Sequence, residues 1–341
     1  MQMSSNHTND GGAPLGTGIG YTAVCRYLDG EGAEHTQLAR SGPGRPHPEW
    51  QLIDHLAQLG IRPEDVVELY TELQACALPG GNCAALVVRS WPRVQVSHTV
   101  DYGTDARSRA RAQQKLYEHA AGLARREGKP LAARPGRLPL PPRPEGAAAP
   151  VSVGPAAARG EVLDAFGAEA VVRRGAEELA DSALPESAVE VLTGTGLPSE
   201  FAPFFRMAPT SPAAVDLPTW AELSGDPLKP HLKESYDSYG YLRIGEDFGR
   251  EICVEPATGK VWAVELRSGW ASFVNSDLES FARCLALLKR HWAARRGMGP
   301  AAAAQDTARF QQELAALDPQ SLAGPARWWA MIVEQMWDGL L

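Results

Sequence analysis

Pro46-His47-Pro48-Glu49-Trp50, taken with Tyr70-Thr71-Glu72-Leu73-Gln74-Ala75-Cys76 and with Cys83, is the part of the chain whose reading decides the fold of its first third. The ring of Pro48 clashes with helical geometry at the residue before it, which keeps His47 extended while a helix begins immediately after. Leu52, Ile53, Leu56 and Leu59 then recur at helical spacing, and Gly60 is a stop signal. The imidazole is thus expected at a helix N-terminus, where the positive end of the dipole disfavours imidazolium and leaves a nitrogen lone pair for a metal. Glu49 falls in the first turn, within reach of a metal-held water. Cys76 follows a strand and Cys83 opens a helix, a position that favours the thiolate. One imidazole and two thiolates leave a fourth position open, the donor set of a catalytic zinc site, with Glu49 beside it to manage the proton.

Working outward, Tyr21-Thr-Ala-Val-Cys-Arg-Tyr-Leu28 has strand composition, Asp29-Gly30-Glu31-Gly32 is a turn, and His35 to Arg40 is its hairpin partner. Asp65 to Thr71 and Val94 to Val100 read as strands, Cys83 to Arg89 and Ser108 to Arg126 as helices. The order strand, strand, helix, strand, helix, strand, helix predicts an α/β layered domain over residues 20–127. Residues 1–19 are a polar, Gly-rich tail with no apolar core of a secretory signal. Residues 128–160, which include Leu138-Pro-Leu-Pro-Pro-Arg-Pro144, are too rich in Pro, Ala and Gly to hold a core and are expected to be a stiff linker.

A second, α+β domain is expected over residues 161–341. Ala165 to Ala180 has a helical pattern, and Leu197 to Phe205 is apolar and broken by proline. Tyr241–Gly245, Glu251–Glu255 and Lys260–Leu266 form a meander turned at Pro256-Ala-Thr-Gly259. Ser276 and Glu279 have capping-box spacing before Leu278, Phe281, Leu285 and Leu288. After an Ala-rich connection, Trp328, Trp329, Ile332, Val333, Met336 and Trp337 predict an amphipathic terminal helix.

The 341 residues suffice for two domains, and no run of eighteen apolar residues predicts a membrane span. Five widely spaced cysteines argue against a disulfide framework and for a reducing compartment, so the cytoplasm is the expected location. Residues 1–150 carry 16 Lys+Arg against 15 Asp+Glu, whereas residues 151–341 carry 17 against 26. An acidic half serves solubility or a basic partner. The same split motivates the expectation that cutting near Pro144 releases activity in the N-terminal fragment.

His-x-Glu followed by a cysteine pair resembles the signature of zinc-dependent nucleobase deaminases, in which the glutamate is the proton shuttle. Tyr70-Thr71-Glu72 ahead of Cys76 resembles, more narrowly, the deaminase domains of bacterial polymorphic-toxin systems. The resemblance covers about residues 20–125 and implies a three-layer cytidine-deaminase-like fold. It implies that His47, Cys76 and Cys83 bind Zn2+ and that water activated there attacks the amine-bearing carbon of a base such as cytosine. Glu49 would take the water proton, deliver it to the ring nitrogen and assist ammonia departure. The substrate would be a nucleic acid or a nucleotide. Two features depart from the family: Ala75 stands where a proline is usual, and six residues rather than two separate Cys76 from Cys83. Leu78-Pro79-Gly80-Gly81-Asn82 either loops out and leaves both sulfurs on the metal or marks a site that has drifted from use.

In the second half, Leu242-Arg-Ile-Gly245, Ile252 to Val261 and Phe273-Val-Asn-Ser-Asp-Leu-Glu-Ser-Phe281 resemble the SUKH superfamily of immunity proteins, its fourth subgroup in particular. That resemblance implies a domain without a cofactor that binds and neutralises a toxin protein. The leading expectation is therefore a deaminase of a bacterial toxin–immunity system fused to an immunity domain. The alternatives are a non-catalytic interaction protein with a degenerate deaminase domain and a nucleotide-salvage enzyme. His55 and His98 are read as helix and strand residues without a metal role, and Cys25, Cys253 and Cys284 as core thiols. Trp50 either stacks on a base or packs in the core. Arg107, Arg109, Arg111, Lys115, Arg125 and Arg126 either bind backbone phosphates or, interleaved with acids, form a solvated helix face.

Overall fold

A computed structural model describes residues 15–130, 135–144, 148–212, 240–266 and 270–341. Residues 1–14 of the expected tail and residues 131–134 and 145–147 of the expected linker lie outside the described residues. The chain divides into two compact units. The first contains Met1–Pro139 together with Trp292–Gln311 and Ile332–Leu341, and the second contains Leu140–His291 and Gln312–Met331.

In the first unit, β1 (Thr22–Leu28) and β2 (Glu34–Arg40) form the expected hairpin, with Ala23 opposite Ala39 and Cys25 opposite Gln37. After α1 (Pro48–Gln58), β3 (Val66–Leu73) returns antiparallel to β1, pairing Cys25 with Leu69 and Ala23 with Thr71. β4 (Gln95–Val100) lies parallel to β3, and parallel neighbours need a crossover, which α2 (Cys83–Ser90) supplies. The sheet order is β2-β1-β3-β4. The alternation in β1 sends Ala23, Cys25 and Tyr27 into a core shared with Leu52 and Leu56 of α1, Val87 of α2, and Leu69. α3 (Ala106–Arg126) starts from an Asp105 cap, accepting from the N–H groups of Arg107 and Ser108, and packs on β3 and β4. Both the α/β class and the element order match the expectation from sequence.

The second unit holds a six-stranded antiparallel sheet. Its order runs Ala271–Asn275, Val261–Val264, Glu251–Val254, Leu242–Glu246, Phe205–Met207, Glu200–Phe201. Leu278, Phe281, Leu285 and Leu288 are buried on one helix face, with Phe281 edge-on to Phe205 at 5.3 Å. Asn275 is fully buried; it accepts from Trp329 Nε1 and donates to Asp318, both within 2.9 Å.

Four sequence expectations need correction. The helix expected over Ala165–Ala180 is instead Pro155–Phe166, followed by a short strand at Val171–Val172 and a turn of helix at Ala176–Leu179; Gly167 and Gly175 break the pattern. The cap of the Leu278–Arg295 helix is Asp277, whose carboxylate accepts from the Ser280 N–H at 2.7 Å. Ser276 hydrogen-bonds Asp318, and Glu279 accepts from Ser152 and Val153. Local spacing cannot show which of two adjacent polar side chains a distant acid will claim. The Ala-rich connection is the helix Pro300–Leu317, as alanine's high helix propensity allows. The Trp328–Trp337 helix is present, but nine of its ten residues are buried, so it has no solvent face. Among the described residues no helix is long and apolar enough to cross a membrane.

Candidate metal centre

The antiparallel pairing of β1 with β3 places the start of one beside the end of the other, and the candidate residues collect there. The Glu72 carboxylate pins that edge by accepting from the Thr22 N–H at 2.7 Å. His47 is the N-cap of α1, extended at φ −52° and ψ 151° ahead of Pro48, as the proline predicts. Cys83 is the first residue of α2. Cys76 lies just beyond β3, its carbonyl accepting from the Ala84 N–H at 3.0 Å.

The six residues between the cysteines form a compact loop. Leu78 O accepts from the N–H groups of Gly81 and Asn82 at 3.0 and 2.8 Å, and Asn82 takes the left-handed conformation at φ 47° that launches α2. Trp50 Nε1 donates to Gly81 O at 2.6 Å, so Trp50 holds this loop. Gly81 has no room for a side chain, because a Cβ there would stand 2.5 Å from Cys76 Sγ and 2.9 Å from His47 Cε1. The insertion thus folds over the ligands as a buried loop rather than looping out, and it leaves both sulfurs beside His47 Nδ1.

His47 Nδ1 lies 3.6 Å from Cys76 Sγ and 3.3 Å from Cys83 Sγ. All three candidate ligand atoms fall within 4.8 Å of one another. Tetrahedral zinc with Zn–N about 2.05 Å and Zn–S about 2.3 Å would separate nitrogen from sulfur by about 3.6 Å, so the spacing fits such an ion. Glu49 adjoins this group. Its Oε2 accepts from Tyr21 OH at 2.6 Å, whereas its Oε1 is buried without a regular hydrogen-bond partner beside Cys83. An orphaned buried carboxylate oxygen next to a soft donor set is the arrangement a metal and its water would complete.

The electrostatics follow from burial and closeness. Cys76 is held well below the ordinary thiol range by the hydrogen bond from Cys83, against the upward pull of burial and with the help of His47. Burial pushes the Cys83 thiol well above that range, and the Cys76 sulfur adds to the push. For His47 burial pulls downward, but the Cys76 sulfur and the Glu49 carboxylate outweigh it and the net shift is upward. The helix dipole alone had suggested the opposite. Glu49 is raised chiefly by burial, partly offset by His47 and by the Tyr21 hydrogen bond.

The structure brings His47, Glu49, Cys76 and Cys83 together. His55 stays on the exposed side of α1, and His98 pairs with Asp101 at 2.8 Å on β4. Cys25 is in the core, its thiol pushed up to about 11 by burial. Cys253 and Cys284 are buried free thiols of the second unit. Arg109 departs from the solvated-face reading of α3: it is 2% exposed and clamps Glu334 at 2.7 and 2.9 Å. Sequence reasoning missed Tyr21, hidden as an ordinary strand aromatic, and Gln335, whose side chain donates to Pro79 O of the ligand loop at 2.8 Å.

An imidazole at the start of α1, one cysteine just beyond β3 and another at the start of α2 thus form a buried cluster able to hold a metal ion, with a glutamate beside it. The family model described as Xanthomonas-like deaminase matches residues 18–119. The model described as SUKH-4 immunity protein matches residues 157–335, more than half of the chain, and the protein belongs to that family. No curated protein and no solved structure matches it. A deaminase-type domain and an immunity domain in one chain support a toxin–immunity fusion, as the two resemblances in the sequence led one to expect.

Proposed function

We propose that the N-terminal domain is a zinc-dependent deaminase of nucleic acid or nucleotide, with a cytosine-type base as substrate. His47, Cys76 and Cys83 are its metal ligands and Glu49 its proton shuttle. We further propose that the SUKH-4 region binds and neutralises a toxin protein. The observation that carries the enzyme reading is the convergence of one ring nitrogen and two sulfurs at zinc-like spacing beside the unpartnered Glu49 Oε1.

Bound zinc would supply the Lewis acidity that turns water into a nucleophile near neutral pH. The chain's own residues do the rest. Glu49 Oε1 takes a proton from the attacking water and returns it to the base, and its burial-raised pKa suits a group that must both accept and donate. Tyr21 OH fixes Oε2 and so aims Oε1. The low exposure of His47, Glu49 and Cys83, at or below 1%, excludes bulk water from the transfer.

That same burial favours a second reading, an interaction protein that keeps the deaminase shape without turnover. One experiment separates the two: zinc content and ammonia release, measured on wild type and Glu49→Ala with single-stranded DNA, RNA and free cytidine. The enzyme reading expects about one zinc per chain in both proteins and ammonia from wild type alone. Zinc without ammonia from any substrate favours the interaction protein, and no zinc sinks the metal site.

A further inference from the structure

We propose that Gln335 is a positioning residue of the metal centre: its buried carboxamide holds the loop between the two cysteines in place, so the SUKH-4-matched part of the chain helps to set the deaminase-type site. The inference rests on the metal-site reading above. Gln335 lies in the Ile332–Leu341 segment, which belongs to the same compact unit as residues 1–139. It is fully buried, and Nε2 donates to Pro79 O at 2.8 Å. Pro79 lies in the turn between Cys76 and Cys83, so this bond sets the height of the loop that carries both sulfurs.

The neighbouring residue holds the helix in register. Glu334 is gripped by both Nε and Nη2 of Arg109 on α3, and Arg109 also donates to Thr104 O at 2.9 Å. This clamp lies one residue from Gln335 and is built entirely from groups that play no part in the chemistry. It gives the amide a rigid mount, which a positioning role requires.

The test uses the full chain with zinc and, as a spectroscopic reporter, Co2+. Gln335→Met keeps the shape and removes both polar ends; roughly 10–100-fold weaker zinc binding is expected, with shifted Co2+ visible bands. Gln335→Leu likewise removes the donor to Pro79 O without adding a charge and is expected to weaken zinc binding to a similar extent. A residue that only packs the helix would leave the Co2+ spectrum of the folded variants unchanged. The proposal is overturned if Gln335→Met binds zinc like wild type with superposable spectra. It is equally overturned if Gln335→Leu does so, a result that stands even should the Met variant fail to fold. A wild type that binds neither ion instead overturns the metal-site reading itself.

Discussion

Gly81→Ala puts the geometry of the ligand loop to a direct test. The added Cβ would sit 2.5 Å from Cys76 Sγ, 2.9 Å from His47 Cε1 and 3.0 Å from His47 Nδ1. Comfortable contact needs about 3.5–4.0 Å, so something must move by about 1 Å. The backbone cannot easily recede: Trp50 Nε1 holds Gly81 O at 2.6 Å, and the Gly81 N–H is tied to Leu78 O at 3.0 Å. The sulfur or the ring must therefore give way, and metal sites tolerate ligand displacements of only about 0.2 Å. We expect zinc affinity to fall by at least ~100-fold, or about 2.7 kcal/mol. Overpacking should cost the fold a further ~1–3 kcal/mol. Chelator competition reads the first quantity and urea unfolding of the metal-free protein the second. Gly30→Ala, which adds a Cβ with nothing within 4 Å, is the control and should change neither. Zinc affinity in Gly81→Ala equal to that of wild type would refute the placement of the loop over the ligands.

Further expectations concern the surroundings of the site. Tyr21→Phe removes the donor to Glu49 Oε2 and should cost about 1.5–3 kcal/mol in stability, since the lost bond is to a buried carboxylate; thermal unfolding indistinguishable from wild type would count against that bond. Glu334→Ala leaves the Arg109 guanidinium buried without its carboxylate and should cost about 3–5 kcal/mol in denaturant unfolding. For the same reason a fragment cut near Pro144, which lacks Glu334 and Gln335, should be less stable than the whole chain rather than released into activity; equal denaturation midpoints would contradict this. Asp338 is raised by burial from 3.8 to about 7, with Arg137 pulling downward and Glu334 adding to the rise. The folded state then holds a proton that the unfolded chain has released, so stability should fall as pH rises from about 4 to about 7, by at most ~4 kcal/mol. Asp338→Asn should flatten that slope, and a slope that persists unchanged would assign it to other groups.

Much of the N-terminal domain was legible because its signals are local. Alternation in Thr22–Leu28, the stiff His47-Pro48 step and the apolar spacing of Leu52 and Leu56 depend on neighbours a few residues away. The same is true of the meander from Leu242 to Val264. Local rules failed where a distant group intervened. Asp318 took Ser276 away from the expected helix cap, and the Trp328–Trp337 helix, patterned as amphipathic, is buried on nearly every side.

By itself the sequence determined the order of strands and helices, the set of residues able to hold a metal, and the likeness to two families, since residue type and periodicity carry that information directly. Only the tertiary structure decided that the long turn between Cys76 and Cys83 folds over the ligands, that Tyr21 grips Glu49, and that Gln335 reaches Pro79 across 256 positions of chain. Such contacts are chosen by which surfaces remain to be buried once the local elements exist, and no pattern within one stretch of chain records that choice.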